Sequence, residues 1–241
     1  MNKGIFYGIS VGPGNPELMT IKAVKQLNKV KVIATPRTKN GKTMALDIAS
    51  QMIDMEDKQI LYLDFAMTKN RAILDESHQT QAKQIEKYLA QGMDVAMLNI
   101  GDASLYSTFS YINAIIAQDG YECVIIPGVT SFCAVAASLQ QSLTTMNEPL
   151  TILPGGGMGE LKQGLLTKGS KVIMKPAGAI REIKNTLREL DLVKNTKAVC
   201  DCGLSTEKVY DNIEEIPENG QYFITMLVQD CDNKKNNRME G

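Results

Sequence analysis

Residues 11–17 read VGPGNPE and follow directly on GIFYGIS, residues 4–10. An apolar run of aromatic and isoleucine residues broken by glycine predicts a strand that ends in a tight turn. The next stretch, ELMTIKAVKQLNK (17–29), spaces Leu18, Ile21, Val24 and Leu27 as a helical stripe. Asn15 is suited to cap that helix, Pro16 to open it and Glu17 to lie at its positive end. Gly12 and Gly14 permit a tight turn or a close approach to a ligand. A strand, a glycine turn and a helix often greet a phosphate, but the two usual forms fail here. No GK[ST] ends the loop, and Glu17 stands where the third glycine of G-x-G-x-x-G would fall. Taken alone, the loop reads equally as a structural turn and as a ligand loop.

The same alternation continues outward. VKVIA (30–34), ILYLDF (60–65), DVAMLNIGD (94–102) and YECVIIPG (121–128) read as strands. TMALDIASQMI (43–53), RAILDESHQTQAKQIEKYLAQG (71–92), SLYSTFSYINAIIAQDG (104–120) and VTSFCAVAASLQ (129–140) read as helices. Leu105, Phe109, Ile112 and Ile116 are expected to face inward, and Gly92 to end its helix. The second half is less regular. LTILP (150–154), KVIMK (171–175), KAVCDCG (197–203), EKVYDNI (207–213) and YFITMLVQ (222–229) read as strands, the last two as an antiparallel pair, and AGAIREIKNTLRELD (177–191) as a helix. The pattern predicts an α/β protein of two α/β domains, residues 1–116 and 117–232, with a frayed charged tail over 233–241.

With 241 residues, 44% of them hydrophobic, the chain can bury a sizeable core. A net charge of −1 with mixed signs gives no basic face for nucleic acid or an anionic membrane. No apolar run approaches the ~20 residues of a spanning helix. Five cysteines, an odd number, argue against a disulfide framework and for a reduced, cytoplasmic setting. CDC (200–202) has no second Cys/His cluster to complete a metal site, so no metal is expected and these thiols are read as strand packing. His78, the single histidine, reads as a solvated helix residue.

Three glycine loops leave strands and enter helices: residues 11–17, NIGDASLYS (99–107) and IPGVTSF (126–132). Strand ends of a parallel sheet face one crevice, so the loops are expected to converge. Asp102 offers a carboxylate or a helix cap, and Thr130 and Ser131 offer hydroxyls at a helix start. None of the loops holds a lysine or arginine, which implies a ligand that is not strongly anionic. S-adenosylmethionine, a sulfonium cation without phosphate, fits that description.

VGPGNPELMTIKA, IGDASLYSTFSYI and PGVTSFCAVAA, in this order, resemble the tetrapyrrole (corrin/porphyrin) methylase family over about residues 3–229. YSTFSY and TPRTKNGKTMALDIA (35–49) are most similar to its members that methylate C20 of precorrin-2 or cobalt-factor II. The resemblance implies a homodimer of two-domain subunits, with S-adenosylmethionine in the cleft between the domains and an open trough for the tetrapyrrole, as a step of cobalamin biosynthesis. It implies cofactor contacts at Pro13, Ile100, Gly101, Asp102, Leu105, Tyr106, Thr130 and Ser131, and near Met174 and Lys175, where the family often has Met-Gly. Gly14 and Asn15 would lie at the substrate trough. Two departures stand out: Asn15 replaces the common Asp, and Ala103 replaces a common Pro, which is expected to loosen the second loop.

The implied reaction is displacement of the sulfonium methyl by an electron-rich meso carbon, with no protein nucleophile or protein-bound metal. Asp102, Tyr106 or solvent would take the meso proton. Arg37, Lys39 and Lys42 form either a loop that meets substrate carboxylates or a plain solvated surface. Alternatives are another methylase of this fold, acting on a different tetrapyrrole carbon, diphthamide or ribosomal RNA ribose, and a non-catalytic binder of the tetrapyrrole or cofactor.

Overall fold

The computed structural model describes residues 3–38, 40–156, 158–176, 178–219 and 223–229. The chain divides into two compact units, Met1–Thr130 and Ser131–Gly241.

The first unit carries five strands: β1 (Phe6–Ser10), β2 (Val32–Arg37), β3 (Gln59–Asp64), β4 (Val95–Asn99) and β5 (Cys123–Ile126). They form an all-parallel sheet in the order β3-β2-β4-β1-β5. Helices cover both faces, as parallel strands require. On one face Ala23 and Leu27 of α1 (Ile21–Lys29) and Ala45 and Ile48 of α2 (Met44–Ala49) pack on Ile9, Ile33 and Leu98. On the other, Ile85 and Leu89 of α3 (Arg71–Leu89) and Phe109, Ile112 and Ile116 of α4 (Phe109–Gln118) pack on Phe6, Val32 and Met97. The Phe109 ring lies 5.3 Å from that of Phe6, tilted by 31°, and fills the space above Gly8, where a Cβ would fall 2.4 Å from the ring.

The sheet forks at its carboxyl end. The ladder between β2 and β4 stops at Ala34↔Met97. Beyond it β2 stays with β3 to Arg37↔Asp64, and β4 stays with β1 to Ser10↔Asn99. From these two ends the chain departs in opposite directions, β2 toward β3 and β4 toward β5. That is the reversal of strand order at which open α/β sheets take their ligands.

The second unit holds β6 (Leu150–Pro154), β7 (Ser170–Met174), β8 (Thr196–Cys200), β9 (Lys208–Tyr210) and β10 (Ile224–Val228) in the order β6-β7-β10-β8-β9. Only β6 and β7 are parallel; β10 runs antiparallel between β7 and β8, and β9 closes the edge against β8. With α5 (Ser131–Ser138) the unit has three helices among the described residues, the others being α6 (Met158–Leu165) and α7 (Ile180–Glu189). Leu161 and Leu165 of α6 and Ile183 and Leu187 of α7 bury against Ile173, Ala198 and Met226.

Several expectations are corrected. Residues 117–130 belong to the first unit, because β5 pairs with β1; the division falls at 130/131 rather than 116/117. The last two strands do not pair with each other, since β10 enters the sheet interior. α6 has no counterpart in the sequence reading. Leu105 precedes α4, and Ile21 is 74% exposed, so the stripe of α1 is carried by Ala23 and Leu27. His78 is 8% exposed rather than solvated, stacked on Tyr111 at 4.8 Å and 8°. Burial lowers its pKa, with a weaker opposing effect from Asp75. The 233–241 tail, Cys231 and Lys39 lie outside the described residues.

Candidate active site

Gly12 and Gly101 both have positive φ, +76° and +72°, and the Gly101 amide donates to the Gly12 carbonyl at 2.7 Å in an isolated bridge. The first loop is thereby joined to the second. The second is joined to the third through Asp102, whose Oδ2 accepts the Gly128 amide at 2.8 Å. The third returns to the segment just past the first loop, where the hydroxyl of Thr20, the cap of α1, donates to the Pro127 carbonyl at 3.4 Å while accepting the Ala23 amide. Three loops read separately from the sequence are thus one hydrogen-bonded ring at the carboxyl ends of β1, β4 and β5.

The crossing at Gly128 leaves no room for a side chain. A Cβ on Gly128 would lie 2.5 Å from Ser10 Cβ and 2.8 Å from the Gly101 carbonyl oxygen. Ser10 ends β1, is fully buried, and its hydroxyl accepts the Ala103 amide at 2.9 Å. The Ala103 amide is thus an anchor of the second loop, one that a proline, having no N–H, could not supply.

Asp102 is 9% exposed and its oxygens are occupied. Oδ1 accepts both the amide and the hydroxyl of Ser104, and Oδ2 accepts Gly128. Burial works to raise its pKa, but the Ser104 hydroxyl and the two amides outweigh it and hold the carboxylate below its usual value. A carboxylate so held is a weak proton acceptor and a strong clamp. Asn99 supports the same loop: its Nδ2 donates to the Met97 carbonyl and its Oδ1 accepts the Ser107 hydroxyl at 2.8 Å. Between these anchors Tyr106 takes a φ of +47°, rare for a bulky residue, and is 41% exposed.

The remaining sequence candidates are distributed as follows. Pro13 and Gly14 are buried in the first loop. The Asn15 side chain accepts the Glu17 amide at 2.9 Å, capping a single 3-10 turn, Pro16–Leu18, ahead of α1. Ile100 and Leu105 are half-buried beside Gly101 and Asp102. Thr130 closes the first unit. In the second unit the Ser131 hydroxyl lies 3.2 Å from that of Thr225 on β10. Met174 is buried at the end of β7 and accepts the Gly155 amide at 2.7 Å. Lys175 follows with φ +52°; its side chain is exposed, yet nearby protein strips enough water to lower its pKa. Arg37 pairs with Asp64, and Lys42 is exposed in a turn held by Thr38.

Sequence reasoning missed the anchors: Ser10, Thr20, Asn99 and Gly128. The available signal was a polar residue at the end of an apolar strand, Ser10 and Asn99, or at a helix cap, Thr20; for Gly128 it was the glycine of the third loop. Among the described residues no group of His, Cys, Asp or Glu is arranged to hold a metal. A ring of backbone carbonyls, amides and hydroxyls whose three loops contain no lysine or arginine suits a neutral or cationic ligand, and its glycine crossings let that ligand approach the main chain.

Residues 6–217 match the family model described as Tetrapyrrole (Corrin/Porphyrin) Methylases. The chain belongs to that family. It is 35% identical over 198 residues, 81% of this chain and 80% of the other, to the "Probable cobalt-precorrin-2 C(20)-methyltransferase" of Methanocaldococcus jannaschii. It is 28% identical to the cobalt-precorrin-2 C(20)-methyltransferase of Salmonella typhimurium, across 93% of this chain and 96% of that one. Its fold matches the uroporphyrin-III C-methyl transferase of Thermus thermophilus, solved with S-adenosyl homocysteine, with a TM-score of 0.70 at 20% identity, covering 96% of this chain and all of that one (100%).

Proposed function

We propose that this protein transfers a methyl group from S-adenosylmethionine to C20 of a precorrin-2-type tetrapyrrole, metal-free or carrying cobalt, in cobalamin biosynthesis. The observation that carries the reading is the 35% identity to a cobalt-precorrin-2 C(20)-methyltransferase, spread over four fifths of both chains. When bound, S-adenosylmethionine supplies an activated methyl group on sulfur. Pro13, Ile100, Gly101, Asp102, Leu105, Tyr106 and Thr130 of the first unit, and Ser131, Met174 and Lys175 of the second, are the proposed cofactor contacts. Gly14, Asn15, Arg37, Lys39 and Lys42 are the proposed substrate contacts.

The contribution of the chain is alignment. Gly101 and Asp102 fix the second loop, and well-oriented reactants can gain about 7–11 kcal/mol over free encounter. Asp102 holds the loop and leaves the meso proton to Tyr106 or solvent. Any cobalt belongs to the substrate. A homodimer acting in the cytoplasm completes the reading. None of Cys123, Cys133, Cys200 and Cys202 is joined in a disulfide, which supports a reducing compartment, and the dimer rests on the family resemblance.

The test is an anaerobic incubation with methyl-labelled S-adenosylmethionine, offering cobalt-factor II and precorrin-2 in separate vials. One added methyl at C20 is expected, and the productive vial identifies the metal state. A bound cofactor without transfer in either vial would send the assignment to another methyl acceptor.

A further inference from the structure

Arg37 is the last residue of β2 and Asp64 the last of β3, paired in register on the outer side of the sheet fork. The guanidinium meets the carboxylate in two parallel bonds, Nε to Oδ1 at 3.0 Å and Nη2 to Oδ2 at 2.6 Å. The ring of Tyr62, two residues back on the same face, lies 5.1 Å from the Arg37 Cζ. Asp64 is fixed in turn, because Gln81 of α3 donates to its carbonyl at 3.0 Å. One mobile side chain is therefore held by an aromatic face and a two-point carboxylate, with Nη1 left outside the pair.

This pair contributes little to stability. Arg37 and Asp64 side chains are 39% and 59% exposed, and solvent screens such pairs heavily. What it does achieve is direction. A guanidinium clamped along its Nε–Nη2 edge presents its remaining N–H groups in one orientation, ready for a second carboxylate. The position is the carboxyl edge of the sheet, beside the fork between β2 and β4. Lys42, in the turn that follows β2, adds positive charge nearby in sequence.

We propose that Asp64 is a positioning residue: it orients Arg37 to take one carboxylate side arm of the tetrapyrrole. The inference rests on the proposed function for its substrate class and adds to it a residue and a geometry. Asp64 acts through Arg37 and does not itself touch the substrate, whose like charge it would repel. Asp64 and a substrate carboxylate therefore occupy different edges of one guanidinium.

The test is a binding titration of uroporphyrin III, an octacarboxylate, and of its octamethyl ester, on the wild type and on R37Q, D64N, D64E and R37Q/D64N. Methyl transfer to the substrate of the wild type is measured separately. Expected results are about tenfold weaker binding of the octacarboxylate by R37Q and a smaller loss, about three- to fivefold, by D64N. D64E should restore most of it. The double variant should be no worse than R37Q, because Asp64 has nothing left to orient. In turnover the tetrapyrrole KM should rise in D64N while kcat and the S-adenosylmethionine KM hold. Unchanged binding by D64N, tighter binding, or additive losses in the double variant would each overturn the inference. Octacarboxylate binding that depends on Asp64, without methyl transfer by the wild type, would instead remove the functional reading and leave the positioning role standing. If the wild type neither binds nor methylates a tetrapyrrole, both fall.

Discussion

The Asp102 carboxylate accepts the main-chain amide of Gly128 at 2.8 Å, and so ties the loop after β4 to the loop after β5. Its other oxygen is taken by Ser104, so the residue is a clamp. Asp102→Ala should cost about 1–3 kcal/mol by leaving buried amides unpaired. It should weaken S-adenosylmethionine binding in calorimetry more than it slows turnover at saturating cofactor. The folded pKa lies below 3.8, so the clamp stabilises the fold above that value and is lost as pH falls through the depressed one. Acid unfolding of the wild type should therefore be steeper at its low end than that of Asp102→Asn. Equal cofactor affinity in wild type and Asp102→Ala would refute the clamp.

Gly128→Ala tests the same crossing from the other side. Its Cβ would sit 2.5 Å from Ser10 Cβ, and the Ser10 hydroxyl and the Gly128 amide are each held by a hydrogen bond. A loss of about 1–3 kcal/mol in unfolding free energy is expected, read as a lower denaturant midpoint at unchanged m. Cofactor affinity should fall with it.

Tyr106 separates site from scaffold. At φ +47° it bears backbone strain that glycine would relieve, by about 1 kcal/mol, while glycine costs a similar entropy. Tyr106→Gly should melt within a few degrees of wild type and lose cofactor affinity or turnover. A marked drop in melting temperature with full activity would assign the ring to packing.

His78 provides a pH handle away from the loops. It is buried against Tyr111, and its folded pKa is pushed below 6.5 chiefly by that burial. The unfolded chain takes up a proton below 6.5 that the fold resists, so this stabilisation is present above 6.5 and lost as pH falls toward the folded value. Between pH 7.5 and 5.5 the wild type should lose more thermal stability than His78→Phe. Parallel losses would show that His78 stays solvated.

Much of the first unit could be read from periodicity. Its strands are continuous apolar runs, its helices are bounded by Asn, Thr and Gly, and the three loops follow from that alternation. The ring itself was legible only as an expectation of convergence. Its fastenings are contacts between residues far apart in the chain, Ser10 with Ala103 and Asp102 with Gly128, and no local pattern encodes them. His78 was misread because its neighbours, Glu76, Ser77, Gln79 and Thr80, make every face of the helix look polar. The second unit resisted for a similar reason. Period-2 patterns mark β9 and β10 as strands, but which strand each one joins is decided by packing across the sheet.

β10, the last strand in order, lies third in the row β6-β7-β10-β8-β9. While the protein is being synthesised, the first unit can close as soon as β5 has emerged. The second must wait with the place between β7 and β8 unfilled and nothing to join them, for the 23 residues from Asp201 to Phe223 and then β10 itself. At about 5–20 residues per second that interval is on the order of seconds. Nascent chains stalled just before Ile224 should therefore carry a protease-resistant first unit joined to a second that chaperones still recognise.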